Sequence, residues 1–233
     1  MDQLGDALTF FAVFLFSTTL HEAAHAWAAY RGGDPTAYHG GQVTLDPMPH
    51  IRREPVGMVV LPLATALLVG WPMGFASAPY DPNWARRYPN RAAWMALAGP
   101  GANLLLVLLA AIALRIGVAA GVFHAPDTIR FFEITASDAG GAWPAVGHLL
   151  GVVFAENLLL ATLNLLPFPP LDGSAAIMLL MGRETKSRYQ EFIWSSPMLG
   201  FIGLFVAWQL FDIVFTPVFF AAVSLLYPGA SYG

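Results

Sequence analysis

The chain has 233 residues, of which 57% are hydrophobic and only 11% are charged, and its mean hydropathy is +0.59. Because soluble domains carry about 25% charged residues, this composition excludes an ordinary soluble domain and predicts an integral membrane protein. The net charge of −4, without a long basic run, argues against a nucleic-acid partner, and the absence of cysteine excludes disulfides, thiolate metal ligands and a thiol nucleophile.

Six apolar segments follow one another along the chain and leave no room for a separate soluble domain. We therefore expect one membrane-embedded domain, residues 1–233, with an all-α polytopic fold of about four to six membrane helices, some of them re-entrant or broken. A spanning helix needs about 20 apolar residues. The second segment, interrupted by Pro62, is only marginally long enough, and the fifth is too short. The segments are 4–30, 56–71, 92–123, 143–166, 171–181 and 197–227.

Basic residues are concentrated in two connections between the apolar segments. If segment 56–71 dips into the membrane and returns on the same side, all of them fall on one face, which the positive-inside rule makes cytoplasmic. The N-terminus is then outside. If the segment spans instead, three arginines move outside. Nine of the eleven Lys and Arg residues belong to these connections: Arg31, Arg52, Arg53, Arg86, Arg87, Arg91, Arg183, Lys186 and Arg188.

The first apolar segment contains an H-E-x-x-H motif, His21-Glu22-Ala23-Ala24-His25. Positions i and i+4 share one face of a helix, so His21 and His25 can bind one Zn²⁺, while Glu22 is placed to activate a zinc-bound water. Ionisable residues at the centre of a membrane helix cost about 2.5–3.5 kcal/mol each and rarely persist there without a use. The alternative is a chance motif or a histidine pair that is hydrogen-bonded within the bundle.

A second motif, Asn-Leu-Leu-Pro-Phe-Pro-Pro-Leu-Asp-Gly, occupies residues 164–173. Its three prolines break the helix, and Gly173 permits close backbone approach, so Asp172 can be presented on an irregular turn at membrane depth. Two histidines and one carboxylate form a known catalytic zinc set that leaves a fourth position for water, which makes Asp172 the predicted third ligand. The alternative is that Asp172 caps a short helix.

Together the two motifs resemble the site-2 protease family of intramembrane zinc metalloproteases. Three further segments, in the expected order, are similar to family motifs: G-D-P-T-A at 33–37, T-L-D-P-M-P-H-I at 44–51 and A-L-A-G-P-G-A-N at 96–103. The likeness covers most of residues 20–173. The chain resembles the compact members of the family, which lack the PDZ insertion and the nucleotide-sensing domain. Asp46 departs from the family pattern, which usually has Asn at this position.

The resemblance implies that His21, His25 and Asp172 bind zinc, that Glu22 is the general base, and that Asn164 contributes to substrate handling. It also implies peptide-bond hydrolysis in or near the transmembrane segments of membrane-anchored proteins or peptides. We expect the protein in a prokaryotic cell membrane, with the active site toward the cytoplasmic side. The sequence assigns no physiological substrate and no oligomeric state.

A substrate that is cleaved in a membrane helix must unwind locally, and pairing with an extended protein segment would compensate its freed backbone groups. Residues 40–45 contain Val43 and Thr44, which favour a strand. We therefore expect a small β element here, near the cytoplasmic side, and predict that Val43 and Thr44 contact the substrate.

Two functions of other classes remain open at this stage. Histidines and carboxylates on membrane helices also form the sites of metal-ion transporters, and an inactive relative could bind membrane proteins without cleaving them. A transporter needs successive weak sites, whereas this chain has one compact His-His-Asp set with Glu22 placed as a base, which favours the protease. Asn103, isolated in the third apolar segment, is expected to form hydrogen bonds between helices.

Overall fold

The computed structural model describes residues 3–230, which form ten α-helices. A π-helical turn, Val56–Val60, leads into the fourth helix, and a 3₁₀ turn, Ile177–Leu180, follows the eighth. That residues 1–233 form a single domain stays a prediction. Residues 1–2 and 231–233 lie outside the part of the chain that the structure describes. The helices are α1 Gln3–Arg31, α2 Thr36–His39, α3 Pro47–Arg53, α4 Leu61–Leu68, α5 Pro82–Arg87, α6 Pro89–Ala119, α7 Trp143–Asn164, α8 Asp172–Ala176, α9 Arg183–Trp194 and α10 Pro197–Leu226.

Four of the described helices, α1, α6, α7 and α10, are long and apolar enough to cross a membrane. This confirms the membrane fold expected from composition. About half of the most apolar stretch of 18 residues is buried in α1 and in α7, but only 17% of that stretch in α6 and in α10. The apolar stretches of α6 and α10 therefore present most of their surface to the surroundings.

Segment 56–71 is not among the four helices that are long enough to cross a membrane. The π-helical turn and α4 together span only residues 56–68, and the chain then reverses at Gly70, which has a φ of +88°. On the way back Phe75 N donates to Gly57 O at 3.1 Å, and Arg53 Nε donates to Ser77 O at 3.0 Å. Its entry and exit are hydrogen-bonded to each other, so the segment folds as a hairpin; that it enters the membrane and returns on the same side stays a prediction.

The prediction of a β element near residues 40–45 was wrong. Residues 3–230 contain no β-strand, and the two isolated β-bridges lie in the loop between α6 and α7. The backbone at residues 40–45 is used in local turns. Gln42 N donates to Ala37 O, which closes α2, and Asp46 N donates to Thr44 Oγ1. Asp46 then caps α3 through Met48 N at 2.9 Å. Local capping bonds therefore override the strand preference of the side chains.

Candidate metal centre

The two histidines of the H-E-x-x-H motif lie on one face of α1, as their spacing predicts. Both are buried, and their rings meet edge to face with centroids 4.6 Å apart. Nε2 of His21 is 2.9 Å from Nε2 of His25. Since both rings turn the same nitrogen inward, the pair presents two potential ligand atoms to one point.

Asp172 reaches this point from a distant part of the chain. The helix α7 ends at Asn164, the proline-containing turn follows, and an extended Leu171 leads into Asp172 at the start of α8. Oδ2 of Asp172 lies 3.1 Å from Nε2 of His21 and 3.2 Å from Nε2 of His25.

Two glycines make this convergence possible. A Cβ on Gly173 would collide with the carbonyl oxygens of Leu165 and Leu166, so only glycine lets the chain fold back after Asp172. A Cβ on Gly99 of α6 would collide with Nε2 of both histidines. The space where a metal ion would meet these nitrogens is therefore kept open by a missing side chain.

The donor set fits zinc. The three inward atoms form a triangle with sides of 2.9, 3.1 and 3.2 Å, small enough for a single ion at about 2.0–2.2 Å from each of them. Two imidazoles and one carboxylate are also a donor set that catalytic zinc uses.

Glu22 lies beside the triangle. One ligand atom from each of His21, Glu22 and His25 lies within 4.8 Å of the others. The Glu22 side chain is 4% exposed, and its Oε2 has no hydrogen-bond partner among the described residues. A buried carboxylate oxygen without a protein partner, next to a metal site, is placed to receive a hydrogen bond from a water molecule.

The outward nitrogens of both rings are also engaged. Nδ1 of His25 donates to the backbone carbonyl of Met95 at 2.7 Å, and Nδ1 of His21 lies 2.5 Å from Oδ1 of Asn103. Such bonds leave Nε2 free for a metal, because a neutral imidazole that donates from one nitrogen accepts at the other. Sequence reasoning missed the roles of Met95 and Gly99, whose backbone carries no chemical signal.

The predicted substrate residues do not touch the triangle through any described hydrogen bond or ion pair. Asn164 ends α7, and its Nδ2 donates to Leu160 O in the same helix at 3.0 Å. Val43 and Thr44 are half-buried between α2 and α3, in the segment that forms no strand. Their contact with a substrate, and that of Asn164, stay predictions.

Comparison with known proteins gives a family match. A family model described as "Peptidase family M50" matches residues 9–205. "Putative zinc metalloprotease YwhC" of Bacillus subtilis (strain 168) is 26% identical over 221 residues, which are 88% of this chain and 91% of the relative. "Putative zinc metalloprotease Rip2" of Mycobacterium tuberculosis (strain H37Rv) is 32% identical over 177 residues, 75% of this chain but only 58% of the relative. No solved structure gives a significant match.

Proposed function

The chain belongs to peptidase family M50, the site-2 protease family, and we propose that its hydrolytic centre is a zinc ion held by His21, His25 and Asp172, with Glu22 as the general base. Family membership makes the protein an intramembrane zinc metalloprotease. The observation that supports this assignment of residues is the convergence of two Nε2 atoms and one Oδ2 atom on a space that Gly99 keeps open.

A zinc ion held by His21, His25 and Asp172 would supply a Lewis acid that polarises the scissile carbonyl and makes a water molecule easier to deprotonate. Glu22, buried and with a free carboxylate oxygen, takes the proton from the attacking water. The same carboxyl then returns the proton to the nitrogen of the leaving amine. His21, His25 and Asp172 would hold the metal and take no part in either proton transfer.

The proposed substrates are membrane-anchored proteins or peptides that are cleaved in or near a transmembrane segment. A helical substrate hides its carbonyls in hydrogen bonds four residues apart, so the scissile region has to unwind before it reaches the metal. We place the site toward the cytoplasmic side, because nine of the eleven basic residues lie in connections that a re-entrant segment 56–71 puts on one face. The relatives from bacteria support a prokaryotic cell membrane.

The decisive substitution is Glu22→Gln, which removes the base but preserves the shape of the side chain. The full-length protein is reconstituted in vesicles with single-span model peptides that carry a helix-weak segment, and cleavage and bound zinc are measured together. We expect the cleavage rate to fall by about 10²- to 10⁴-fold while one zinc ion per chain remains. The matched control is Glu191→Gln, at an exposed position of α9, which should leave both quantities unchanged.

Two outcomes would contradict the proposal. Unchanged cleavage by the Glu22→Gln variant would remove Glu22 from the mechanism. A wild-type chain that cleaves no model peptide but carries zinc across the vesicle membrane, with a flux that survives Glu22→Gln, would identify a transporter.

A further inference from the structure

We infer that Asn103 is a positioning residue for His21: through a chain of hydrogen bonds across three helices, it sets which nitrogen of the imidazole faces the metal. This inference rests on the zinc site proposed above and extends it to residues outside the ligand set. Asn103 lies on α6, one turn after Gly99, and its side chain is fully buried.

The chain of hydrogen bonds begins and ends on α1. Nδ1 of His21 lies 2.5 Å from Oδ1 of Asn103, and Nδ2 of Asn103 donates to Oδ1 of Asn157 on α7 at 2.8 Å. Nδ2 of Asn157 donates to Oγ of Ser17 at 2.8 Å, so the last hydrogen bond of the chain reaches α1 one turn before His21. Asn157 is as fully buried as Asn103.

The direction of these bonds is determined at one end by the backbone. Nδ2 of Asn157 also lies 2.8 Å from Val153 O, and a carbonyl oxygen can only accept. This contact assigns the amide nitrogen of Asn157, so its Oδ1 is the atom that faces Asn103. Asn103 must therefore turn its own Nδ2 toward Asn157 and its Oδ1 toward His21. Because Oδ1 is an acceptor, His21 carries its proton on Nδ1, and Nε2 keeps the lone pair that a metal needs.

The two histidine ligands depend on different kinds of support. His25 donates to Met95 O, a backbone group that every side-chain substitution leaves in place. His21 depends on the Asn103 side chain, which a single substitution removes. Loss of Asn103 would leave a buried imidazole nitrogen without a partner and free to exchange its proton with Nε2. We therefore expect His21, and not His25, to lose the hydrogen bond that fixes its Nδ1 proton when one neighbouring side chain is removed.

The test compares Asn103→Leu with Asn103→Asp in the full-length, detergent-purified chain. Zinc affinity is measured by competition with a chromophoric chelator, and thermal unfolding is measured on the zinc-free proteins. Leucine is apolar and close to asparagine in size, so it removes the acceptor without leaving a large cavity. Asn103→Leu should weaken zinc binding by about 10- to 100-fold, the usual effect of losing a group that orients a metal ligand.

Asn103→Asp separates orientation from packing. The carboxylate still accepts from Nδ1 of His21, but it has no donor for Oδ1 of Asn157. We therefore expect zinc affinity to return toward the wild-type value while thermal stability stays reduced. The matched control is Thr162→Val on α7, which removes a hydrogen bond within one helix, from Oγ1 to Leu158 O, and should not change zinc affinity.

A purely structural role for Asn103 predicts a different pattern. Zinc affinity would then fall in step with unfolding temperature in both variants, and Asp would rescue neither; this result would overturn the inference. The visible absorption spectrum of the Co²⁺-loaded proteins is a second readout, since a changed ligand geometry alters it in Asn103→Leu but not in Thr162→Val. If the wild-type chain itself binds neither Zn²⁺ nor Co²⁺, the proposed zinc site fails first.

Discussion

The two ends of the helix bundle are packed in different ways. At one end, which we call the aromatic end, large rings of α7, α10 and the loop between α6 and α7 fill the interior, with neighbouring Phe rings of α10 at centroid distances of 5.0–5.7 Å. At the other, the metal end, small residues and buried polar side chains replace them. The aromatic end consists of Leu114, Phe123, Phe154, Phe215 and Phe219. The metal end consists of the buried residues Ser17, His21, His25, Asn103 and Asn157 and the partly exposed Asp172.

This difference indicates that the same helices are held together by two kinds of interaction. Lipid gives apolar side chains little reason to associate, so close packing and interhelical hydrogen bonds decide how helices assemble in a membrane. Large rings fill space at the aromatic end, whereas hydrogen bonds and missing side chains bring α1, α6 and α7 together at the metal end. Substitutions at the aromatic end should therefore affect stability, and those at the metal end should affect the metal.

Gly99→Ala should have the largest effect at the metal end. The added Cβ would overlap with Nε2 of both histidines, so the ligands would have to separate and measurable zinc binding should be lost. Chelator competition on the purified chain measures this. Gly101→Ala, two residues along the same helix, is the matched control, because its Cβ would meet nothing within 4 Å. Equal zinc affinity in the two variants would show that Gly99 does not shape the site.

Phe219→Ala should have the next largest effect and should act at the aromatic end. Phe219 is 6% exposed and contacts Phe131, Phe215 and Phe220, so its removal leaves a cavity that costs about 3 kcal/mol of unfolding free energy or more. Unfolding in mixed detergent measures the loss. Zinc affinity should stay at the wild-type value, and a parallel loss of zinc would show that the two ends are not independent.

Glu156→Leu should have the smallest effect and the opposite sign. Glu156 lies on α7 between Phe154 and Asn157, where the two ends meet; it is 4% exposed, and neither carboxylate oxygen has a hydrogen-bond partner among the described residues. Replacing it removes the cost of burying an unpaired polar group, about 1–3 kcal/mol, and should raise the unfolding temperature. Glu191→Leu, at an exposed position of α9, is the control. A lower unfolding temperature for Glu156→Leu would show that this carboxyl has a partner.

The pattern of residues predicted the membrane class, the long helices and the three side chains that converge at the candidate metal centre; that they bind a metal stays a proposal. Apolar length identifies a membrane helix without knowledge of its neighbours, because backbone groups in lipid must be satisfied within the helix itself. The H-E-x-x-H spacing likewise places His21 and His25 on one face through local geometry alone. The same kind of reasoning failed at residues 40–45, because a strand exists only if a second strand pairs with it.

Contacts between distant helices were decided by the tertiary structure. Asn103 was expected to form hydrogen bonds between helices, and this is confirmed. Its partners, His21 and Asn157, could not be predicted, because an amide in an apolar segment does not indicate which helix it faces. The roles of Met95 and Gly99 depend on a carbonyl and a missing Cβ, which have no side-chain chemistry to reveal them. Local periodicity thus determined which groups could bind a metal, while the packing of α6 and α7 against α1 determined which atoms of those groups face it.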